Sequence, residues 1–224
     1  MFFDENEIIR GMELCLDNAR NLAAEAEILR TRDHYERSLS LGILALEEIG
    51  KLVYINCLAF SLTESTHRKS FDNIRKQHHA KLFALHVYPL LLVQFAGLDN
   101  RIVVDEEWKE ELHGIVQDFQ KCLIALEPWI GSLENIDELH KWKQRAFYVD
   151  FDRQHGFLAP SEIHLDFADD VLRLVHLVVR GLDFVVADNL DRYREAISAI
   201  RSTVTSEQFD DIRQHISEML ARHQ

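Results

Sequence analysis

Eight glycines and three prolines in a chain of 224 residues leave few places at which the backbone can turn sharply. Sandwiches, barrels and doubly wound sheets need frequent turns and draw on these two residue types to make them. A chain this poor in both must fold as long elements, and the length suits one domain around one sizeable core. A single domain spanning residues 1–224 is therefore expected, of all-α class, with about six to eight helices.

Apolar spacing supports this. Ile9, Met12, Leu16, Ala19, Ala23 and Ala26 recur every three or four residues after an acidic start, which marks one stripe of a first helix. Asp33 and Glu36 have the spacing of a capping box, predicting a second helix that runs to about residue 60. A polar, basic connector over 63–69 precedes a third helix, about 71–96, in which Pro89 predicts a kink. Gly97, Asp99 and Asn100 then signal a stop. Asp105, Glu106 and Glu107 open a fourth helix toward Trp129, Gly131 ends it, and a shorter helix follows over about 134–145. Residues 147–151 are rich in strand-favouring types, but Gly156 and Pro160 close by predict one short structured loop rather than a sheet. Ser161 is a candidate cap for a long apolar helix that breaks near Asp188, and Thr205 with Gln208 caps a last amphipathic helix.

A net charge of −13 works against non-specific adhesion to nucleic acid or anionic lipid. The N-terminus lacks the basic and apolar regions of a signal peptide, and the most apolar stretches, 82–98 and 171–187, are short and carry charged or polar residues. A cytoplasmic protein without a membrane span is expected. Cys15, Cys57 and Cys122 are odd in number and widely spaced, which points to buried thiols rather than to disulfides or a zinc site.

Charge appears where apolar residues belong. In the second helix, Leu41, Ala45, Leu52, Ile55 and Ala59 form a stripe whose missing member is Glu48. Glu47 lies on the next stripe with Ile43, Tyr54 and Leu58, spaced to pair with Lys51. In the third helix, Ile74, Leu85, Tyr88, Leu92 and Phe95 form a stripe interrupted by His78 and Lys81. Because an unpaired buried charge costs several kcal/mol, about, Glu47 or Glu48 is expected to meet His78 or Lys81 across the two helices. Glu47, Glu48, Lys51, His78 and Lys81 form the candidate catalytic cluster; the same spacing also fits an ion-pair network that only fixes register. Arg68, Lys69, Arg75 and Lys76, with Lys141, Lys143 and Arg145, could line a basic face or simply a solvated one. Glu110 and His113 have the spacing of a ferritin-like ligand pair, yet the nearest second pair is Asp137 with His140, and Glu107, Glu110 and Glu111 read as a solvated face. No metal and no cofactor is expected.

Three blocks occur in order: Ala45-Leu-Glu-Glu-Ile-Gly-Lys51, His78-His-Ala-Lys81 and Lys143-Gln-Arg-Ala-Phe-Tyr-Val-Asp150. With them the chain resembles the AbiV family of bacterial abortive-infection proteins. That resemblance implies a HEPN-type helical bundle, often a homodimer, acting in phage defence on a phage or host protein, or on RNA. Many HEPN relatives cleave RNA without metal, using an arginine and a following histidine with four to six residues between them; none of the twelve histidines here has such an arginine. On the third block the resemblance makes Lys143, Arg145 and Tyr148, with Arg75, candidate substrate or RNA contacts, on a loop expected to fold over the cluster. The homodimer is expected to cover part of the apolar faces of long helices such as 171–187.

Overall fold

The computed structural model describes residues 3–59, 78–96, 105–148, 150–152, 156–158, 164–186 and 189–203. Within them the chain forms helices α1 (Glu5–Arg30), α2 (Tyr35–Ala59), α3 (His78–Phe83), α4 (Tyr88–Ala96), α5 (Glu106–Ile130), α6 (Glu138–Phe147), α7 (Leu165–Val186) and α8 (Leu190–Thr203). Short 3₁₀ turns at Ala84–Val87 and Leu133–Asn135 lead into α4 and α6. The fold is an all-α bundle. The segment expected as a loop closes on itself as a small antiparallel ribbon, β1 (Asp150–Asp152) against β2 (Gly156–Leu158), with Phe151 opposite Phe157. The expected connector at 63–69, the start of the third helix with Arg75, the cap at Ser161 and the helix after Thr205 lie outside the described residues, as does the side chain of Cys57.

The helix ends follow local chemistry. Asp4 accepts from the Glu7 amide at 2.8 Å while the Glu7 carboxylate accepts from the Asp4 amide at 3.0 Å, a reciprocal box that satisfies two donors at the start of α1. Asp105 caps α5 through the Trp108 amide, and Gly131, at φ 82°, closes it in a backbone region that side chains disfavour. Two boundaries differ from expectation. Asp33 sits at φ 59°, where the amide of His34 reaches back to the Leu29 carbonyl at 3.0 Å, so it terminates α1 instead of boxing the start of α2. Pro89 falls in the first turn of α4, where its missing N–H is least costly, and the break it was expected to cause lies in the 3₁₀ turn just before it.

α2 is the central element. It packs against α1, α3, α6 and α7, and α7 also lies on α1, α4 and α5. The expected α1 stripe is buried throughout, as are Ala45, Leu52 and Ala59 of α2. Each fully buried Leu-sized side chain stabilises by about 1.5 to 3 kcal/mol. Val171, Leu174, Val175, Val178, Leu182 and Val185 of α7 are fully buried inside this chain, so the face expected to await a partner is already occupied. Tyr193 of α8 donates to Asn56 of α2, whose amide donates to Gln94 of α4 at 3.1 Å. This buried polar chain pins three helices in register. Glu107, Glu110 and Glu111 are exposed, as the solvated-face reading requires. Among the described residues no helix is long and apolar enough to cross a membrane.

Candidate functional site

The interruptions in the apolar stripes meet where α2, α3 and α6 converge. Gly50 makes the approach of α3 possible: a Cβ on it would stand 1.9 Å from the carbonyl oxygen of Lys81. The glycine of the first block thus lets the second block lie directly on it. α6 is fixed from its other side by aromatic packing. Trp129 of α5 stacks on Phe167 of α7 at 4.9 Å, Trp142 of α6 meets Phe167 edge-on at 5.3 Å, and the Trp142 ring N–H donates to the Trp129 carbonyl at 3.1 Å.

Glu47 is the hub. Its side chain is 3% exposed, Oε2 lies 2.9 Å from Nδ1 of His78, Oε1 accepts from the buried ammonium of Lys143, and Nδ1 of His140 lies 3.5 Å from Oε1. Burial by itself would raise the pKa of this carboxyl, but the hydrogen bonds from Lys143 and His78 and the charge of Lys143 outweigh it and hold the pKa below its ordinary value. Glu47 is therefore ionised at neutral pH. The rings of His78 and His140 stack with centroids 4.7 Å apart and planes 17° off parallel. Burial, followed by the charges of Lys143 and His78, lowers the pKa of His140 and favours its neutral form. A carboxylate on Nδ1 of His78 favours the tautomer protonated there and leaves the lone pair on Nε2. With its side chain 43% exposed, His78 is the member of this cluster that solvent reaches.

A second group adjoins the first. Glu48 holds Lys51 three residues on, not His78 or Lys81, so the two neighbouring carboxylates have the reverse of the pairing suggested by the i,i+4 spacing of Glu47 and Lys51. The Cys15 thiol of α1, pushed up to about 12 by burial and then by the charge of Glu48, hydrogen-bonds to this carboxylate. Lys81 is buried at 3% exposure, and desolvation together with the nearby charge of Lys51 lowers its pKa. It sits in the protein interior and is not placed to touch a ligand at the surface.

The third block divides. Lys143 lies in the core as the counter-ion of Glu47, whereas Arg145 is exposed and lies over the Trp142 ring, 5.5 Å from its centroid. Tyr148 is exposed at 64%. Lys141 is engaged by Glu138, so this segment does not present the row of free cations that its composition suggests. His140 was absent from the expected cluster; the available signal was its position three residues before Lys143, one turn away on the same helix face.

The pKa directions give a testable pH dependence. The folded state disfavours protonation of both His140 and Glu47, so each contributes stability above its unfolded pKa that is lost as pH falls through its lowered folded value. Stability should decline on acidification below about pH 6.5, the ordinary imidazole value, and again below about 4.3, the ordinary glutamate value. Urea midpoints measured from pH 8 to 3 would show this, with the upper step flattened in His140→Asn. A wild-type midpoint constant from pH 7 to 5 would contradict the His140 assignment.

Neither a curated protein nor a solved structure matches this chain. The AbiV family model, of HEPN type, matches residues 7–180, which include α2, α3 and α6 with Glu47, His78, His140 and Lys143. By that match over most of its length, the chain belongs to the AbiV family of HEPN-type bacterial abortive-infection proteins.

Proposed function

We propose that this protein acts in phage defence through the surface around His78, which engages a phage component or a part of the translation machinery, either protein or RNA. The observation that carries this reading is a half-exposed imidazole held on a buried, ionised carboxylate. Such a group is costly to build as mere packing, and its open side faces a partner. The protein is proposed to work in the cytoplasm as one domain over residues 1–224 and as a homodimer, in keeping with its family.

A second reading, a metal-independent endoribonuclease, is favoured by the same dyad. Nε2 of His78 would take the proton from a ribose 2′-hydroxyl as its oxygen attacks the adjacent phosphorus, with Glu47 stabilising the imidazolium that forms; the P–O5′ bond breaks, the 5′-oxygen leaves with a proton from water, and a 2′,3′-cyclic phosphate remains. Arg75, Arg145 and Tyr148 are the proposed phosphate and base contacts. Lys81 and Lys143, both buried, are not. A third reading, a helical interaction module, assigns the cluster to stability alone.

His78→Ala separates them. Because His78 is partly exposed and Glu47 keeps Lys143, the variant should stay folded with a melting temperature near that of the wild type, yet lose protection in plaque counts. RNA integrity and translation followed in infected cells then distinguish cleavage from contact. A variant that melts early and still protects would assign His78 to structure alone, and one that is stable and protects would remove it from function.

A further inference from the structure

Three side chains that serve as transition-metal ligands converge from three different helices. Glu47 of α2, His78 of α3 and His140 of α6 each offer one ligand atom, and these atoms lie within 4.8 Å of one another. One separation is already close to that of a ligand shell, 2.9 Å from His78 Nδ1 to Glu47 Oε2, and His140 Nδ1 stands 3.5 Å from the other oxygen of the same carboxylate. Bonds of about 2.0 to 2.2 Å place neighbouring ligand atoms of a tetrahedral zinc site about 3.3 Å apart. The other separations lie within 4.8 Å, so the shell closes by a small approach of His140 to the other two ligands, with the 43% exposed His78 side chain on the open side.

We propose that Glu47, His78 and His140 form a binding site for one divalent transition-metal ion of the zinc class. Two imidazoles and one carboxylate are a donor set for zinc or its first-row neighbours and a poor one for magnesium or calcium, which take oxygen ligands. Three protein ligands leave a fourth position, on the exposed side by His78, for water or a partner's donor group. The surroundings fit. A carboxylate and neutral imidazoles are the donors such an ion takes, and here they come from three helices that meet at one point. Lys143 serves as the outer partner: its ammonium stays on Oε1 while Oε2 faces the ion, as carboxylate ligands commonly are hydrogen-bonded through their second oxygen. With no ion bound, the same ammonium keeps Glu47 compensated, so the fold does not depend on metal. A bound ion would replace the proton that His78 Nδ1 shares with Glu47, so a metal-loaded site excludes the metal-independent ribonuclease reading while leaving the contact reading as it stands.

The test uses the untagged full chain, dialysed against a chelator and titrated with Co²⁺, then with Zn²⁺ in competition with a chromophoric chelator. One Co²⁺ per chain should bind with the visible absorption of a low-coordinate nitrogen and oxygen site, and Zn²⁺ should displace it. X-ray absorption of the zinc form should show two imidazoles, a readout that needs no variant. His140→Ala, His78→Ala and Glu47→Gln should each weaken binding by about 100-fold or more, beyond the loss typical of an outer partner. Absence of stoichiometric binding by the wild type, a zinc shell without imidazole, or unchanged affinity in both folded histidine variants would each overturn the proposal. Plaque counts are not part of this test, so failure here leaves the defence reading to its own experiment.

Discussion

Glu47→Ala is expected to lower stability by about 3 to 5 kcal/mol, the range seen when one partner of a buried ion pair is removed. In a chain of this size that corresponds to a fall in melting temperature of about 10 °C or more. The cause is what stays behind. Lys143, 8% exposed, would remain charged in the core with its carboxylate gone, and His78 would lose the acceptor that orients it. Lys143→Met should cost less, because Glu47 retains His78 and the neighbouring His140. The double variant Glu47→Leu with Lys143→Met should recover most of the loss, since a buried pair replaced by apolar residues of similar size is often neutral or stabilising. Thermal melts of wild type, Glu47→Leu, Lys143→Met and the double variant form a cycle in which the coupling is read directly. A double variant as unstable as the sum of the singles would show that the two groups are not a pair, and a Glu47→Ala variant within about 1 kcal/mol of wild type would remove the carboxylate from the stability argument altogether.

Gly50→Ala should be nearly as damaging, although it adds a single methyl group. The new Cβ would stand 1.9 Å from the Lys81 carbonyl oxygen, 2.5 Å from its carbon and 2.9 Å from its Cα. All three are backbone atoms and cannot swing aside, so α3 would have to retreat from α2. The cost should reach about 3 kcal/mol, the upper part of the range for overpacking. It should also open the Glu47–His78 contact, so protection should fall with stability. Gly114 provides the comparison: on α5 a Cβ there meets nothing within 4 Å, and Gly114→Ala should stabilise by up to about 1 kcal/mol through helix propensity. The same chemical change thus has opposite signs at two helical glycines. Equal melting temperatures for Gly50→Ala and wild type would refute the close approach of α3.

Much of the fold was legible because helical period and end signals are local. The stripe from Ile9 to Ala26, the cap at Asp105 and the stop at Gly131 each involve residues within a few turns of one another, and the structure has them as expected. Asp33 departs from its local pattern for a reason of the same kind: its spacing to Glu36 fits a box, but the chain reversal between α1 and α2 claims it first.

The polar interruptions at Glu47, Glu48, His78 and Lys81 could likewise be found in the sequence, since each stands where its helix would otherwise be apolar. Periodicity says that such a residue faces inward; it does not say toward which neighbour. α2 is enclosed by four helices, so two adjacent carboxylates on it point at different partners, Glu47 to His78 and Lys143, Glu48 to Lys51 and Cys15. The sequence by itself determined an all-helical chain with misplaced charge in its core. Tertiary structure alone decided that Lys143 is a buried counter-ion rather than a surface contact, that His140 joins His78 on one carboxylate, and that Gly50 admits α3. Those facts are set by how α6 is anchored through Trp129, Trp142 and Phe167 and by how closely two backbones approach, which are contacts between residues far apart in the chain that no local spacing encodes.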